Sequence, residues 1–240
     1  MIFSSVTFLY YFLPLTAAIY FMAPKRLRNS VLLLGSLIFY AWGEPKYVFL
    51  MGISILLCYT FGRLTEKYRE KKAGRLFCLL SVLISLSFLI YFKYTDFFLE
   101  NFNAATGLDI PLLRITLPIG ISFYTFQIIS YTIDVYRGTV AQKNLVDLAA
   151  YISMFPQLIA GPIVRYSDLA DQLKERPHSW GMAAEGIRRF MIGLGKKVLL
   201  ANQMGELCAA FQASREKTVV FHWIYAVPLC MQIYFHYSAN

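Results

Sequence analysis

Charged side chains are scarce in this 240-residue sequence: they make up 15% of its residues, against 58% hydrophobic and 17% aromatic residues. Soluble domains usually carry about a quarter charged residues, so this composition excludes an ordinary soluble domain and indicates a membrane protein. About 20 apolar residues cross a bilayer, so the length leaves room for roughly six to eight segments. We therefore predict one all-α polytopic domain over residues 1–240, with transmembrane or re-entrant helices and interfacial amphipathic helices.

Cysteine and histidine are also few, and the sequence has no repeat of fixed period, no low-complexity tract and no long linker. The four cysteines stand singly in or beside apolar stretches, without a CxxC pair or a histidine cluster. This spacing argues against a metal site and against a disulfide framework. The net charge of +9 lies in short basic clusters between apolar segments, a pattern that membrane orientation explains better than nucleic-acid binding.

The basic clusters predict an orientation in the lipid bilayer. The first apolar span, Val6 to Ala23, has no charge, and a cluster follows it: Lys25, Arg26 and Arg28. A cleavable signal peptide has the opposite order. The positive-inside rule then places the N-terminus outside the cell membrane and this cluster in the cytoplasm. A pair of segments broken at Gly43 to Pro45 returns the chain to the cytoplasm, where the strongly basic loop Arg63 to Arg75 supports the same orientation.

Further segments follow this pair. Leu76 to Phe92 predicts another span, and the mixed aromatic and polar residues after it predict an amphipathic piece in the membrane interface. Leu145 to Val164 and Thr218 to Phe235 are also apolar, and either Ser167 or Ser179 is expected to precede a helix.

A polar stripe interrupts the apolar segment Leu117 to Val135. Tyr124, Gln127 and Tyr131 share one face at helical spacing, together with several serines and threonines nearby. Such a stripe is expected to face protein or water and not lipid. It serves either hydrogen bonds between helices or the lining of a functional cavity.

The stretch "PQLIAGPIVRY" places helix-breaking and polar residues at the end of an apolar run. Its prolines cannot both sit in an uninterrupted lipid-exposed helix, and the freed carbonyl groups need partners in protein or water. One interpretation is a helix end with a snorkelling arginine and an aromatic anchor. The other is an internal polar passage, for which the candidate residues are Gln157, Gly161, Pro162, Arg165 and Tyr166.

A cationic amphipathic segment follows, with apolar residues on one face and basic residues over much of the rest. It is typical of a helix on the membrane surface or of a re-entrant segment. Its basic face attracts either anionic lipid or an anionic donor such as a phosphate-bearing carrier. The basic residues concerned are Arg188, Arg189, Lys196 and Lys197.

Five motifs resemble the membrane-bound O-acyltransferase family, in its bacterial branch of alginate O-acetyltransferases and D-alanyl-lipoteichoic acid transferases. They are "FYAWGEPKYVFLM", "LPIGISFYTFQIISYTIDVYRG", "FPQLIAGPIVRYSDL", "GIRRFMIGLGKKVLLAN" and "QIYF". The resemblance implies helices around a tunnel that joins the two membrane faces. It also implies a cytoplasmic acyl donor, acetyl-CoA or an acyl-carrier protein, used as a substrate and without a bound cofactor. On the outer side it implies a hydroxyl acceptor, such as an exported polysaccharide, or a polysaccharide-modifying partner protein.

The resemblance also implies an intramembrane histidine base, and the matching motifs occupy the N-terminal half of a usual family member. We therefore expect the catalytic histidine beyond residue 240, assign no catalytic residue here, and expect no acyl transfer by residues 1–240 alone. His236 stands where relatives have a carboxylate, and His178 and His222 are expected at a surface or interface. The alternative function is a membrane transporter or non-catalytic scaffold, although its expected paired inverted repeats are not evident.

Overall fold

A computed structural model describes residues 5–158, 164–174, 176–214 and 218–239, and the regular secondary structure in these ranges is helical. The α-helices are α1 Leu13–Met22, α2 Arg28–Gly43, α3 Tyr47–Lys67, α4 Lys72–Thr106, α5 Ile121–Arg137, α6 Leu145–Ser153, α7 Phe155–Leu158, α8 Tyr166–Lys174, α9 Trp180–Gly195, α10 Asn202–Ala213 and α11 Val219–Ser238. Two π-helical stretches, Phe8–Phe12 and Lys196–Ala201, adjoin α1 and link α9 to α10. The all-α prediction is confirmed.

Three helices in the described ranges are long and apolar enough to cross a membrane: α3, α4 and α11. A further apolar helical stretch, Phe8–Met22, is shorter. The composition and these helices agree on a membrane protein, while the total of six to eight segments stays a prediction.

The described residues divide into two compact units. The first contains residues 12–158 and 164–174, and the second contains residues 5–11, 176–214 and 218–239. In the first unit α3 packs against α4 and α5, α4 packs against α5, and α2 packs against α6. In the second unit α10 and α11 pack against each other and against the π-helical stretch Lys196–Ala201.

The turn between α2 and α3 lies where the sequence predicts the break. The α2 helix ends at Gly43, and the Glu44 amide still donates to the Tyr40 carbonyl at 3.0 Å. The Oε2 atom of Glu44 accepts from the amide of Ile119 at 2.9 Å, and the Tyr47 hydroxyl donates to the carbonyl of Thr116 at 2.7 Å. These bonds attach the turn to the segment that leads into α5.

The predicted basic loop Arg63 to Arg75 is wrong in extent, because α3 continues to Lys67 and α4 begins at Lys72. Only residues 68–71 connect the two helices. Lysine and arginine have long aliphatic stems, so their charged ends reach water from a helix end without unwinding the helix.

The amphipathic piece predicted after Phe92 does not form a helix of its own, and its place in the membrane interface stays a prediction. It continues α4, which is 35 residues long, or about 52 Å at 1.5 Å per residue. That length exceeds the roughly 30 Å hydrocarbon core of a bilayer. The stretch from Phe92 to Thr106 contains neither proline nor glycine, so nothing breaks the helix before Gly107, which ends it at a φ of 74°.

The apolar run predicted from Leu145 to Val164 does not form one span. The α6 helix ends at Ser153, Met154 leaves the helical conformation with a φ of −54° and a ψ of 112°, and α7 begins at Phe155. Pro156 lies in the first turn of α7, where a missing amide is tolerated, whereas it could not continue the hydrogen bonds of α6.

Of the two candidate serines, Ser179 caps α9 by accepting from the Met182 amide at 3.1 Å, and Ser167 lies inside α8.

Candidate functional site

The polar stripe of α5 is buried inside the first unit. Tyr124, Gln127 and Tyr131 are 1%, 2% and 0% exposed, respectively. Thr125 and Thr132, also on α5, are buried as well. The stripe therefore faces protein, as its polarity predicts.

Gln127 connects α5 to α7. Its Nε2 atom donates to the Oε1 atom of Gln157 at 3.3 Å, so two of the predicted residues lie in direct contact. The start of α7 is fixed from another side, because the amide of Phe155 donates to the buried Oγ atom of Ser36 in α2 at 3.2 Å. The short α7 helix thus lies between α2 and α5.

Gly120, directly before α5, allows the close approach of α7. Its φ is 75°, and a Cβ atom there would lie 2.5 Å from the carbonyl oxygen of Leu158. Only glycine adopts this conformation readily while leaving space for a backbone carbonyl at that distance.

Tyr131 is held at both ends of its side chain. Its hydroxyl oxygen accepts from the amide of Gln142 at 3.0 Å, and its ring meets the ring of Tyr166 edge-on at a centroid distance of 5.0 Å. Gly62 of α3 leaves the space that the ring occupies. Tyr166, predicted from a different motif, is therefore part of the same buried cluster as the α5 stripe.

Tyr151 of α6 also belongs to this aromatic cluster, although the sequence pattern does not predict it. Its ring lies 5.5 Å from that of Tyr166, and its hydroxyl donates to the carbonyl of Val164 at 2.8 Å. It is fully buried, and its membership follows from tertiary packing that the spacing in α6 does not reveal.

Arg165 is exposed, next to the buried Tyr166. The structure thus brings together Tyr124, Gln127, Tyr131, Gln157 and Tyr166 and leaves the guanidinium group of Arg165 outside their buried cluster. Gly161 and Pro162 lie outside the described residues.

Several buried side-chain atoms have no hydrogen-bond partner in the described part of the chain, and among them are the hydroxyl oxygens of Tyr40 and Tyr124 and the Oε1 atom of Gln127. Tyr40 of α2 was not predicted as a site residue. A signal for it exists, because Ser36 and Tyr40 are four residues apart and both are buried on one face of α2.

At the opposite end of α3 and α5, charged residues bind backbone groups of the loop between α5 and α6. The Nη1 and Nη2 atoms of Arg69 donate to the carbonyls of Gly138 and Thr139 at 3.1 and 2.6 Å. The Oε1 atom of Glu66 accepts from the Ala141 amide at 3.1 Å. Two residues of the predicted orientation loop therefore also have a structural role.

The four basic residues of the cationic segment fall into two pairs in the second unit. Arg188 and Arg189 are exposed and form ion pairs with Glu185 at 3.1 and 2.8 Å. Lys196 donates from Nζ to the carbonyl of Ser238 at 3.3 Å, which connects the π-helical stretch to the end of α11. Partial burial lowers the pKa of Lys197. The two arginines are thus the more accessible part of the predicted donor face.

All three histidines are exposed, and the Nδ1 atom of His222 lies 2.9 Å from the carbonyl oxygen of Thr218. Within the described ranges, no group of three or more histidine, cysteine, aspartate or glutamate side chains is arranged to hold a metal ion. The described residues therefore supply polar contacts in a buried site, without a buried imidazole beside them.

Residues 85–239 match the membrane-bound O-acyltransferase family. The chain is 40% identical over 244 residues to the probable alginate O-acetylase AlgI of Pseudomonas aeruginosa, covering 99% of the chain and 47% of that protein. It is 30% identical over 272 residues to the peptidoglycan O-acetyltransferase of Helicobacter pylori (99% of the chain, 52% of that protein). It is 24% identical over 177 residues to the teichoic acid D-alanyltransferase of Lacticaseibacillus rhamnosus (71% and 41%). The chain spans about half the length of these curated relatives, and the matches confirm the resemblance of its motifs.

Proposed function

This chain belongs to the membrane-bound O-acyltransferase family, and from that premise we propose that the protein carrying it transfers an acyl group across the cell membrane. The donor is acetyl-CoA or an acyl-carrier protein in the cytoplasm, used as a substrate. The acceptor is a hydroxyl group on the outer side, and the path between them is an intramembrane tunnel.

The observation that carries the tunnel proposal is the buried polar stripe. Tyr124, Gln127 and Tyr131 lie at successive levels of α5, inside a unit whose outer surface is rich in apolar side chains. Polar groups in a membrane-embedded interior are costly unless they are paired or serve a path, and on Tyr124 and Gln127 polar atoms remain without a partner among the described residues. A passage for a small polar acyl group gives those atoms a function.

The positive-inside rule gives the direction of transfer. With the N-terminus outside, the connection at residues 68–71 and the loop between α5 and α6 face the cytoplasm, and the α2–α3 turn faces outward. In the second unit, Arg188, Arg189, Lys196 and Lys197 form the proposed donor face. The exposed pair Arg188 and Arg189 supports this role most directly, because exposed guanidinium groups bind phosphate well.

The relatives support an alginate-type or other exported polysaccharide as the acceptor, with a polysaccharide-modifying partner protein on the outer side. Transfer needs a general base beside the acceptor hydroxyl and a group that polarises the thioester carbonyl. We propose that the base lies outside residues 1–240, which provide tunnel and donor surfaces.

The test uses the complete coding sequence of the gene, expressed and reconstituted in proteoliposomes with radiolabelled acetyl-CoA on one side and alginate oligomers on the other. We expect label in the oligomers, with or without added partner protein. Residues 1–240 alone serve as the second sample and are expected to transfer none. Transfer by residues 1–240 alone would overturn the assignment of the base to another part of the protein. Absence of transfer from acetyl-CoA, and also from a labelled acyl-carrier protein supplied in its place, would contradict the proposed reaction.

A further inference from the structure

Two buried phenol groups lack hydrogen-bond partners in the described part of the chain. Tyr40 is 4% exposed and Tyr124 is 1% exposed, and both hydroxyl oxygens are unpartnered. Buried polar groups in native proteins are almost always hydrogen-bonded, so a pair of such phenols calls for a bound group.

The connections between α2 and α5 place these phenols at the same level. The bond from the Ile119 amide to Glu44 joins the end of α2 to the segment just before α5. Tyr40 lies in α2, one helical turn before Glu44, which follows the end of that helix. Tyr124 lies in the first turn of α5. Both rings belong to the same packed cluster of buried residues in the first unit.

Gln127 adds an acceptor one turn further along the same face of α5. Its Nε2 atom is used by Gln157, which leaves its buried Oε1 atom unpartnered. Ser36, one turn before Tyr40, binds the first amide of α7. Hydrogen bonds among α2, α5 and α7 therefore hold the helices that carry Tyr40, Tyr124 and Gln127.

We propose that Tyr40 and Tyr124 form a binding site for a neutral oxygen atom of the substrate, to which both phenols donate hydrogen bonds. This inference rests on the proposed function and specifies part of the tunnel. The oxygen belongs either to the carbonyl of the acyl group or to the hydroxyl of an acceptor. An acceptor hydroxyl can also donate a hydrogen bond to the Oε1 atom of Gln127. An anion fits poorly, because the Ile119 amide fixes the carboxylate of Glu44 one helical turn after Tyr40 and next to the segment that leads to Tyr124.

Substitution by phenylalanine separates this role from a purely structural one. Removing an unpartnered buried hydroxyl keeps the ring packing, so the melting temperature is expected to stay unchanged or to rise. If the hydroxyls hold substrate, Tyr40→Phe and Tyr124→Phe each lower acyl transfer about tenfold, the usual scale for a lost hydrogen bond. The matched control is Tyr59→Phe, whose hydroxyl donates to the Lys143 carbonyl at 2.9 Å. It is expected to lower the melting temperature and to leave transfer unchanged.

A binding measurement tests the site independently of turnover. The complete protein in nanodiscs is titrated with S-acetyl-N-acetylcysteamine as a neutral thioacetate, with methyl glucoside as a neutral hydroxyl probe, and with sodium acetate as the anion. We expect saturable binding of at least one neutral probe, weakened about tenfold or more in Tyr40→Phe/Tyr124→Phe, and weaker binding of acetate.

The pattern of probes distinguishes the sources. Binding of the thioacetate alone assigns the acyl carbonyl, and binding of the glucoside alone assigns the acceptor hydroxyl. Equal binding by the double variant, no binding of either neutral probe, or tighter binding of acetate overturns the site and leaves bound water as its occupant. A protein that binds a probe in this way and transfers no acyl group refutes the proposed function and retains the site.

Discussion

Gly62 of α3 lies against the ring of Tyr131 of α5, so that a Cβ atom at Gly62 would lie 2.8 Å from Cε1 of the ring. Tyr131 cannot swing away without loss, because its hydroxyl binds the Gln142 amide and its ring packs on Tyr166. We expect Gly62→Ala to destabilise the protein by about 1–3 kcal/mol, the usual cost of overpacking a core. The measurement is the melting temperature of the purified protein in detergent.

Gly52, in the same helix, provides the control. A Cβ atom there would meet no atom within 4 Å. Alanine is the better helix former, so Gly52→Ala is expected to be neutral or to stabilise by up to about 1 kcal/mol. Equal melting temperatures for the two variants would contradict the tight contact between α3 and α5.

Gly120→Ala is expected to disturb the site more strongly than any other glycine substitution considered. The change strains a backbone with a φ of 75° and directs a methyl group at the carbonyl of Leu158. The matched control is Gly107→Ala, which has a φ of 74° and open space for a Cβ atom. The control is expected to lose about 1 kcal/mol for the left-handed conformation alone. Similar thermal stability of the two variants would show that α7 does not approach α5 as closely as described.

Arg69→Ala is expected to release the loop between α5 and α6. It removes two hydrogen bonds to the carbonyls of Gly138 and Thr139, and bonds from charged groups contribute about 1.5–3 kcal/mol each when buried, less here because Arg69 is partly exposed. Hydrogen exchange of residues 138–144 checks this, with faster exchange expected. Lys71→Ala is the control, because the exposed Lys71 lies in the same turn near the ring of Tyr68. If hydrogen exchange of residues 138–144 is unchanged in Arg69→Ala, the arginine does not hold this loop, and its charge serves only to orient the chain in the membrane.

Much of the fold was predictable because its signals are local. The scarcity of charge indicates membrane helices, the sequence "GEPK" marks the α2–α3 turn, and Ser179 is a typical helix cap that the structure confirms. Helix lengths were less predictable. The polar residues after Phe92 resemble an interfacial piece, but helix continuity depends on the absence of a breaker, and α4 therefore runs on to Thr106.

The site residues on α5 were predictable from the sequence, whereas those that α2 and α6 contribute were not. The spacing of Tyr124, Gln127 and Tyr131 predicts a shared buried face, and the structure buries all three. Tyr40 and Tyr151 were missed because each stands among apolar and aromatic residues, where sequence spacing does not distinguish a phenol in a packed interior from an interfacial anchor. Their positions follow from the packing of α2 and α6, which no local pattern specifies.

Removing both exposed arginines of the proposed donor face is expected to weaken use of a phosphate-bearing donor. Arg188→Ala/Arg189→Ala takes away two positive charges and leaves Glu185 unpaired in the same turn. We expect a rise of about three- to tenfold in KM for acetyl-CoA with little change in kcat, and a weaker dependence of KM on salt. Kinetics at two ionic strengths check this. Arg26→Ala, an exposed arginine of the first basic cluster, is the control. An unchanged KM in the double variant would favour anionic lipid as the partner of this face.

Arg165→Ala is expected to impair acyl transfer more than Lys71→Ala at matched membrane levels. Both side chains are exposed, so neither substitution empties a packed core. Arg165 directly precedes Tyr166, whose ring packs on Tyr131, whereas Lys71 lies in the connection between α3 and α4. A positive charge beside the aromatic cluster can attract an anionic part of a donor to the proposed tunnel, while a charge in the connection acts on orientation. Transfer rates in proteoliposomes, normalised to protein content, give the comparison. Equal losses in the two variants would count against a tunnel role for Arg165 and favour a snorkelling arginine at the end of the apolar run.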